Sequence, residues 1–325
     1  DAKFSGTKEV AEHLTIEVSN LQPWIDEFVP GAGKINSIEQ FKGGQSNPTY
    51  KIVTESKNLV LRRKPPGKLL PSAHAVDREY KVITALYETD VPVPKTYGLC
   101  EDDEIAGTAF FVMDFLDGDL FWNPMIPSLS NQDRTEIYQN KNKTLALLHG
   151  VDYKKIGLED YGKPGNYVAR QVARWSKQYR ASETDDIEAM NNLIDWLPKN
   201  IPDDDETSIV HGDYRLDNMI LKNNQVMGIL DWELSTLGHP IADFSYHCLS
   251  WRTQEAFWNQ AKLKELGIPS EKEYMDMYCE NTGKDLSKNW EFYMAFNMFK
   301  IAGILQGILG RVRDGTASSK HAEDR

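Results

Sequence analysis

Asp213, Asn218 and Asp231, with His211 two places before the first of them, are the residues whose types and spacing suit a reaction. Two carboxylates and an amide supply hard oxygen atoms. Mg²⁺ takes such ligands while keeping several waters, so one carboxylate, one amide and the phosphates of a nucleotide make a natural set. A carboxylate not engaged by metal can accept the proton of an attacking hydroxyl. Taken singly, each residue has a plainer explanation, because an Asp or Asn in a turn usually bonds nearby backbone. Their order along one short stretch favours the chemical reading.

That reading requires elements that bring the three together. Ile209-Val210 is an apolar approach to a polar loop, His211 to Asp217. A strand is expected from Asn218 to Leu221, a turn at Lys222-Asn223-Asn224-Gln225, and a second strand from Val226 to Leu230. A hairpin sets its outer ends side by side, so Asn218 and Asp231 should be neighbours, with Asp213 on the loop before them. His-x-Asp, an Asn five positions after that Asp, and a later strand-terminal Asp is also the order of protein-kinase motifs.

His211-Gly212-Asp213-Tyr214-Arg215-Leu216-Asp217-Asn218 followed by Ile229-Leu230-Asp231-Trp232 resembles the aminoglycoside phosphotransferase and choline kinase group. With Gly43 to Tyr50 and Leu61 to Gly67, it is more similar still to the phosphotransferase-like domains fused to certain acyl-CoA dehydrogenases. The likeness runs from about Ile35 to about Arg252. It implies an α+β, protein-kinase-like two-lobed fold, with a small antiparallel-sheet lobe over residues 1–114 and a larger, mainly helical lobe over 115–325. It implies ATP and Mg²⁺, with Asp213 as catalytic base and Asn218 and Asp231 as metal ligands. Gly43, Gly44, Gln45, Ser46 and Asn47 would cover the nucleotide, although they depart from the kinase Gly-x-Gly-x-x-Gly pattern. Arg62 stands where kinases carry Lys, with Glu79 as its partner, and Met113, Asp114 and Phe115 would form the adenine-binding hinge. His211 is read as a structural residue of the loop and Asp243 as its holder. Arg215 is left between neutralising the phosphoryl group and pairing with Asp217.

The resemblance leaves the acceptor as a small hydroxylated molecule. The fused relatives point to a hydroxy acid or hydroxyacyl-CoA, and to fusion or cooperation with an acyl-CoA dehydrogenase. A nucleotide-binding pseudokinase, an aminoglycoside or choline-type kinase, and a metal-dependent hydrolase stand as alternatives.

The net charge of -12 argues against a nucleic acid partner, which demands a basic surface. It leaves room for a nucleotide met by local cations and backbone amides. Cys100, Cys248 and Cys279 have no metal-ligand spacing, and their odd number favours a reducing, cytoplasmic setting over a disulfide framework. The polar start shows no signal peptide, and the lack of an initial Met leaves open a piece of a longer protein. Phe292 to Leu309 is apolar, but Asn297, Lys300 and Gln306 mark it as a buried helix and not a membrane span.

The remaining elements follow from periodicity. A short helix is expected near Leu21 to Phe28, with Asn20 as cap and Pro23 in its first turn. Three strands fill Ile35 to Arg63, the third alternating so that Arg62 and Arg63 part company, with Arg63 a solvated strand end. A helix from Ala73 to Tyr87, capped by Ser72, carries an apolar stripe of Val76, Tyr80, Ile83 and Tyr87 with Glu79 at its edge. Strands Thr96 to Cys100 and Ala109 to Met113 flank a solvated acidic turn, Glu101 to Glu104. Helices are expected over Gln132 to His149, Tyr167 to Tyr179 and Asp185 to Leu197, and onward to about Arg313. Arg170, Arg174 and Lys177 form a basic stripe, open to solvent or to an anionic acceptor. The acidic loop Pro202 to Glu206 carries no expected role.

Overall fold

The computed structural model describes residues 6–43, 47–67 and 74–314, so Gly44, Gln45, Ser46 and the cap expected at Ser72 lie outside the described residues. The first part of the chain runs β1 (Thr7–Lys8), α1 (Val18–Phe28), β2 (Ile35–Phe41), β3 (Thr49–Thr54), β4 (Asn58–Arg63), α2 (Val76–Leu86), β5 (Thr96–Cys100), α3 (Asp103–Ala106) and β6 (Phe110–Asp114). Its strands form one antiparallel sheet in the order β1-β2-β3-β4-β6-β5. Strand β4 is interior to that sheet, and its alternation assigns its side chains to opposite faces. Leu59 and Leu61 pack on the back face with Leu21, Trp24 and Ile25 of α1. Val60 and Arg62 turn to the other face, towards a cleft.

Several local expectations are corrected by this packing. Arg63 is buried: its guanidinium donates to the carbonyls of Leu14 (2.9 Å) and Ala106 and lies 5.2 Å from the Tyr50 ring centroid. A strand paired on both sides has no solvated flank, which its own sequence cannot reveal. Helix α1 starts at Val18, so Pro23 sits inside it, and the Asn20 amide donates to Glu104 O instead of capping. In α2 the buried face is Val76, Glu79, Val82, Ile83 and Leu86, with Tyr87 exposed and Glu79 fully inside the stripe. The acidic turn is a single helical turn, α3, whose start is capped by the Asp102 carboxylate accepting from Glu104 N.

The rest of the chain comprises α4 (Asn131–Gly150), α5 (Tyr167–Ser182), α6 (Glu188–Trp196), β7 (Ser208–Val210), β8 (Met219–Lys222), β9 (Gln225–Ile229), β10 (Thr236–Gly238), α7 (Pro240–Cys248), α8 (Ser250–Thr253), α9 (Gln260–Glu265), α10 (Glu271–Thr282) and α11 (Trp290–Arg313). Capping boxes at Ser130/Asp133 and Ser270/Glu273 start α4 and α10, satisfying backbone donors that a helix leaves orphaned. By length and composition alone, α11 is the one helix among the described residues apolar enough to cross a membrane, and half of that stretch is buried. It packs against α5 and α7. The polar residues that interrupt it bond inside the protein: the Asn297 amide donates to Ala242 O (3.0 Å) and Ser245 Oγ (2.7 Å), and the Gln306 amide to Ser182 O (2.7 Å). The loop at 202–206 is tied to its neighbours, since Asp204 accepts from the Tyr293 hydroxyl (2.7 Å) and Asp205 from Asn166 N (2.8 Å).

Lys141 of α4 is buried with its Nζ 4.1 Å from the Tyr138 ring centroid and no hydrogen-bonding acceptor among the described residues. Burial pushes this ammonium down from 10.5 to about 7. Below pH 7 the native state carries a desolvated charge. As pH rises through 7, the native state sheds the proton while the unfolded chain keeps it, so this group's contribution to stability rises with pH up to the unfolded value. Lys141→Met is expected to raise stability at pH 6 to 7 by a few kcal/mol. The gain should shrink steadily towards pH 10 in denaturant titrations; a pH-independent difference would contradict it.

Candidate active site

Strands β8 and β9 pair antiparallel, with Met219 opposite Ile229. Their turn is Asn223-Asn224, both at positive φ (51° and 61°), a conformation Asn tolerates and a tight hairpin requires. The outer ends are consequently tied: Leu230 N–H donates to Asn218 O at 2.8 Å. Asn218 ends a one-turn 3-10 helix and is not itself in the strand. Its Nδ2 donates to Asp213 O (2.9 Å) and Asp213 Oδ2 (3.1 Å), which fixes the amide and turns its Oδ1 away from Asp213. Asp213 Oδ1 has no hydrogen-bond partner among the described residues. Burial pushes the Asp213 carboxyl above its ordinary range, against the pull of Arg215 and His211.

The loop holding Asp213 is suspended from Asp243 in the first turn of α7. Asp243 Oδ2 accepts from His211 N and Oδ1 from Gly212 N, both at 2.9 Å, and His149 Nε2 lies 3.1 Å from Oδ2. Burial would raise this carboxyl, but the bond from His149 and the backbone donors hold it below the usual range. Gly212 has φ +85°, and a Cβ there would sit 2.7 Å from Leu234 O, so the loop admits no other residue without distortion. The His211 ring accepts Asp213 N–H at Nδ1 (3.2 Å), leaving Nε2–H to donate to Leu230 O (2.9 Å). Both ring nitrogens are therefore spent on backbone, one on each side of the hairpin. Arg215 is engaged with Asp217, Nε to Oδ1 at 3.0 Å and Nη2 to Oδ2, which resolves its partner in this structure.

Arg62 enters from the sheet. Its Nε lies 2.9 Å and 3.0 Å from the two Glu79 carboxylate oxygens, and its Nη2 2.6 Å from Asp231 Oδ1. Glu79 is only 1% exposed. Burial pushes its carboxyl above the ordinary range even against Arg62, so removal of that cation would leave a strongly disfavoured charge. Asp231 itself is left-handed, φ +60°, an uncommon state for a residue with a side chain. Trp232 next to it is fully buried and donates from Nε1 to Ile229 O at 3.0 Å, holding the bend.

Arg62, Glu79, Asn218 and Asp231 line one cleft of about 520 Å³ between the sheet and the β8–β9 hairpin, together with Gly43, Met113, Asp114 and Phe115. Asp213 does not line it, but adjoins it through Asn218. Three expected contributors are otherwise occupied. Asn47 is buried, donating to Glu79 Oε1 (2.8 Å), with His74 Nδ1 3.0 Å from its Oδ1, so it braces Glu79 and does not reach into the cleft. The amides of Asp114 and Phe115 already donate to Lys95 O (2.8 Å) and Asn58 O (3.4 Å). Leu116, which the sequence did not single out, lines the cleft with an N–H that makes no backbone bond among the described residues. Phe41 and Phe115 also line it, facing each other nearly parallel (10°) with centroids 6.4 Å apart.

This fold and site define a kinase-like phosphotransferase: residues 37–278 match the phosphotransferase enzyme family, and the chain belongs to it. Over 98% of its length it is 46% identical to mouse acyl-CoA dehydrogenase family member 10, of which it spans only 30%. A solved structure from Ralstonia eutropha, of the aminoglycoside phosphotransferase type, is 50% identical and superposes with a TM-score of 0.87, covering 95% of this chain and 94% of that one. Choline kinase of Cryptosporidium parvum, at 12% identity, shares the two-lobed fold with a TM-score of 0.61 over 90% of each chain.

Arg62→Met leaves Glu79 buried without a cation. The expected loss is about 3 kcal/mol or more at pH 7. Because the native Glu79 carboxyl then titrates far above its unfolded value, the deficit should shrink as pH falls from 8 to 5. Adding Glu79→Gln should recover most of it, in calorimetric unfolding of the single and double variants.

Proposed function

We propose that the chain is an ATP- and Mg²⁺-dependent small-molecule kinase, moving the γ-phosphoryl group of ATP to an acceptor hydroxyl. The carrying observation is the convergence of Arg62, Glu79, Asn218 and Asp231 on one cleft that Asp213 adjoins. Asp213 is the base: Oδ1 is unpartnered, Oδ2 is steadied by Asn218, and the raised affinity for a proton suits it to the task. The acceptor oxygen bonds to the γ-phosphorus, the bond from phosphorus to the bridging oxygen breaks, ADP leaves, and the hydroxyl proton goes to Asp213.

The donor set fits a magnesium ion. Asn218 Oδ1 and Asp231 Oδ2 accept no hydrogen bond among the described residues, and both are hard oxygen ligands. Bound there, the ion would supply positive charge to the phosphate oxygens. Arg62, its guanidinium anchored by Glu79, grips the phosphate tail, with Gly43 in the wall of the cleft and Asn47 acting through Glu79. The hinge at Met113, Asp114 and Phe115 meets adenine with backbone from Asp114 O and Leu116 N, and the two lobes divide near residue 114.

For the acceptor we take a hydroxylated acid or its coenzyme A thioester, which the likeness to acyl-CoA dehydrogenase family members supports. In a protein where this chain is joined to such a dehydrogenase, both parts would handle the same acyl group. A pseudokinase is disfavoured because Asp213, Asn218 and Asp231 are all present with free ligand oxygens. With γ-labelled ATP and hydroxy acids, Asp213→Asn is expected to lower phosphorylated product by a factor of about 10² to 10⁴ while nucleotide affinity holds. Native-rate transfer by that variant would remove Asp213 as base, and label released only as free phosphate would favour a hydrolase.

A further inference from the structure

Asp243, whose carboxylate holds the loop that carries Asp213, stands one turn before Tyr246 on α7, and α7 packs on α11, which in turn packs on α5. The Asn297 clamp fixes α11 against Ala242 and Ser245 of α7. One turn further along α11, Lys300 Nζ lies 4.2 Å from the ring centroid of Tyr246, the residue after Ser245. One turn beyond that, Gly303 approaches Trp175 of α5: a Cβ there would stand 3.6 Å from the indole. Arg174, next to Trp175, thus comes to the same side of the bundle as Lys300.

Lys300 makes no hydrogen bond or ion pair among the described residues, its only contact of that kind being the Tyr246 ring. Burial depresses its ammonium and Arg174 depresses it further, while the charges of Asp243 and Asp213 act the other way. The Tyr246 hydroxyl is raised by burial and by the charge of Asp213. The Asp213 loop on Asp243, Tyr246 one turn along α7, Lys300 on that ring and Arg174 beside the helix contact at Gly303 thus follow one another across the bundle. Neither acid is paired with Lys300: Asp243 is engaged by the loop backbone and His149, and Asp213 Oδ2 by Asn218. Arg170 of the same basic stripe is spent on the carbonyls of Lys163 and Gly165, whereas exposed Arg174 makes no ion pair among the described residues. A half-buried ammonium whose one direct partner is an aromatic face is poorly satisfied. An anion arriving there gains a charge-assisted bond without displacing a protein carboxylate.

We infer that Lys300, seated on Tyr246 and backed by Arg174, is the specificity-determining residue of the acceptor site, binding a carboxylate or phosphate carried by the molecule whose hydroxyl Asp213 receives. The inference rests on Asp213 marking the acceptor side of the site. It separates this chain from acceptors that are cations, which would meet two positive charges here.

The test is binding of a panel to the full chain with a non-hydrolysable ATP analogue and Mg²⁺ present, read by calorimetry. The panel comprises hydroxylated straight-chain carboxylic acids, their neutral amides, their coenzyme A thioesters, and choline. Free acids binding while their amides do not assigns the anion to a carboxylate. Thioesters binding while acids and amides do not assigns it to phosphate. In either case Lys300→Gln should weaken the anionic members at least tenfold and Lys300→Arg should restore them to within about threefold, with melting temperatures reporting that both variants fold. Equal binding by Lys300→Gln, a preference for choline or the amides, or no binding by any anion would each overturn the inference. Asp213→Asn should bind the anions in the same assay and, assayed separately with ATP, show transfer lowered by a factor of about 10² to 10⁴. If it binds and still transfers at the native rate, the base assignment fails while the Lys300 comparison stands.

Discussion

One buried guanidinium ties the two parts of this protein together. Arg62 belongs to an interior strand of the sheet, Glu79 to the helix packed on that sheet, and Asp231 to the end of the hairpin in the helical part. A fork of donors suits this junction, because Nε faces one carboxylate while Nη2 reaches the other. An ammonium is a single point and could not span both in that planar manner. The pairing also explains why Asn47 is drawn inward: a carboxylate as buried as Glu79 recruits every donor in reach.

The loop bearing Asp213 depends on a different kind of support. Its backbone donors at His211 and Gly212 both end on Asp243, while the His211 ring bridges Asp213 N and Leu230 O. Loop and hairpin are therefore held at fixed separation by polar groups, in a region where Trp232 and Tyr214 leave no room for water at their own positions. Backbone that is strained at Gly212 and Asp231 persists because these contacts over-determine it. Rigid presentation of that sort is what a positioned base and ligand set demand.

How much of this could be read from the chain depends on how local the determinant is. The hairpin was legible because Asn223-Asn224 lies between two apolar runs and needs nothing else to specify a turn. The sheet strands and the long helices were legible from period, and the likeness to known kinases supplied the two-lobed arrangement. Arg62 and Arg63 could be told apart by alternation, yet the burial of Arg63 depends on β4 lying inside the sheet, which no window of β4 encodes. The link from Arg62 to Asp231 spans 169 positions, so neither neighbourhood foretells it. At the hinge too the sequence is silent on which amides are free, because that depends on the segment lying opposite: Lys95 and Asn58 take those of Asp114 and Phe115. Leu116 carried no signal of its own, being one apolar residue among several.

The overall acidity of the chain and the cations around its site are compatible because charge acts over short distances here. At ordinary ionic strength the field of exposed carboxylates fades within about 10 Å. The groups that meet a ligand are those few that are partly desolvated, where screening is weak and each charge counts more. Arg62 in the cleft and Lys300 on α11 are both of this kind, one paired with two carboxylates and the other in direct contact only with a ring among the described residues. That asymmetry has a physical consequence. In the function proposed above, a cation already neutralised by protein acids would share its charge with phosphates without trapping them, which would favour release of a nucleotide product. An unneutralised cation would hold its anion harder, which would favour selection of the acceptor. Net charge, summed over a surface that neither ligand touches, says nothing about either.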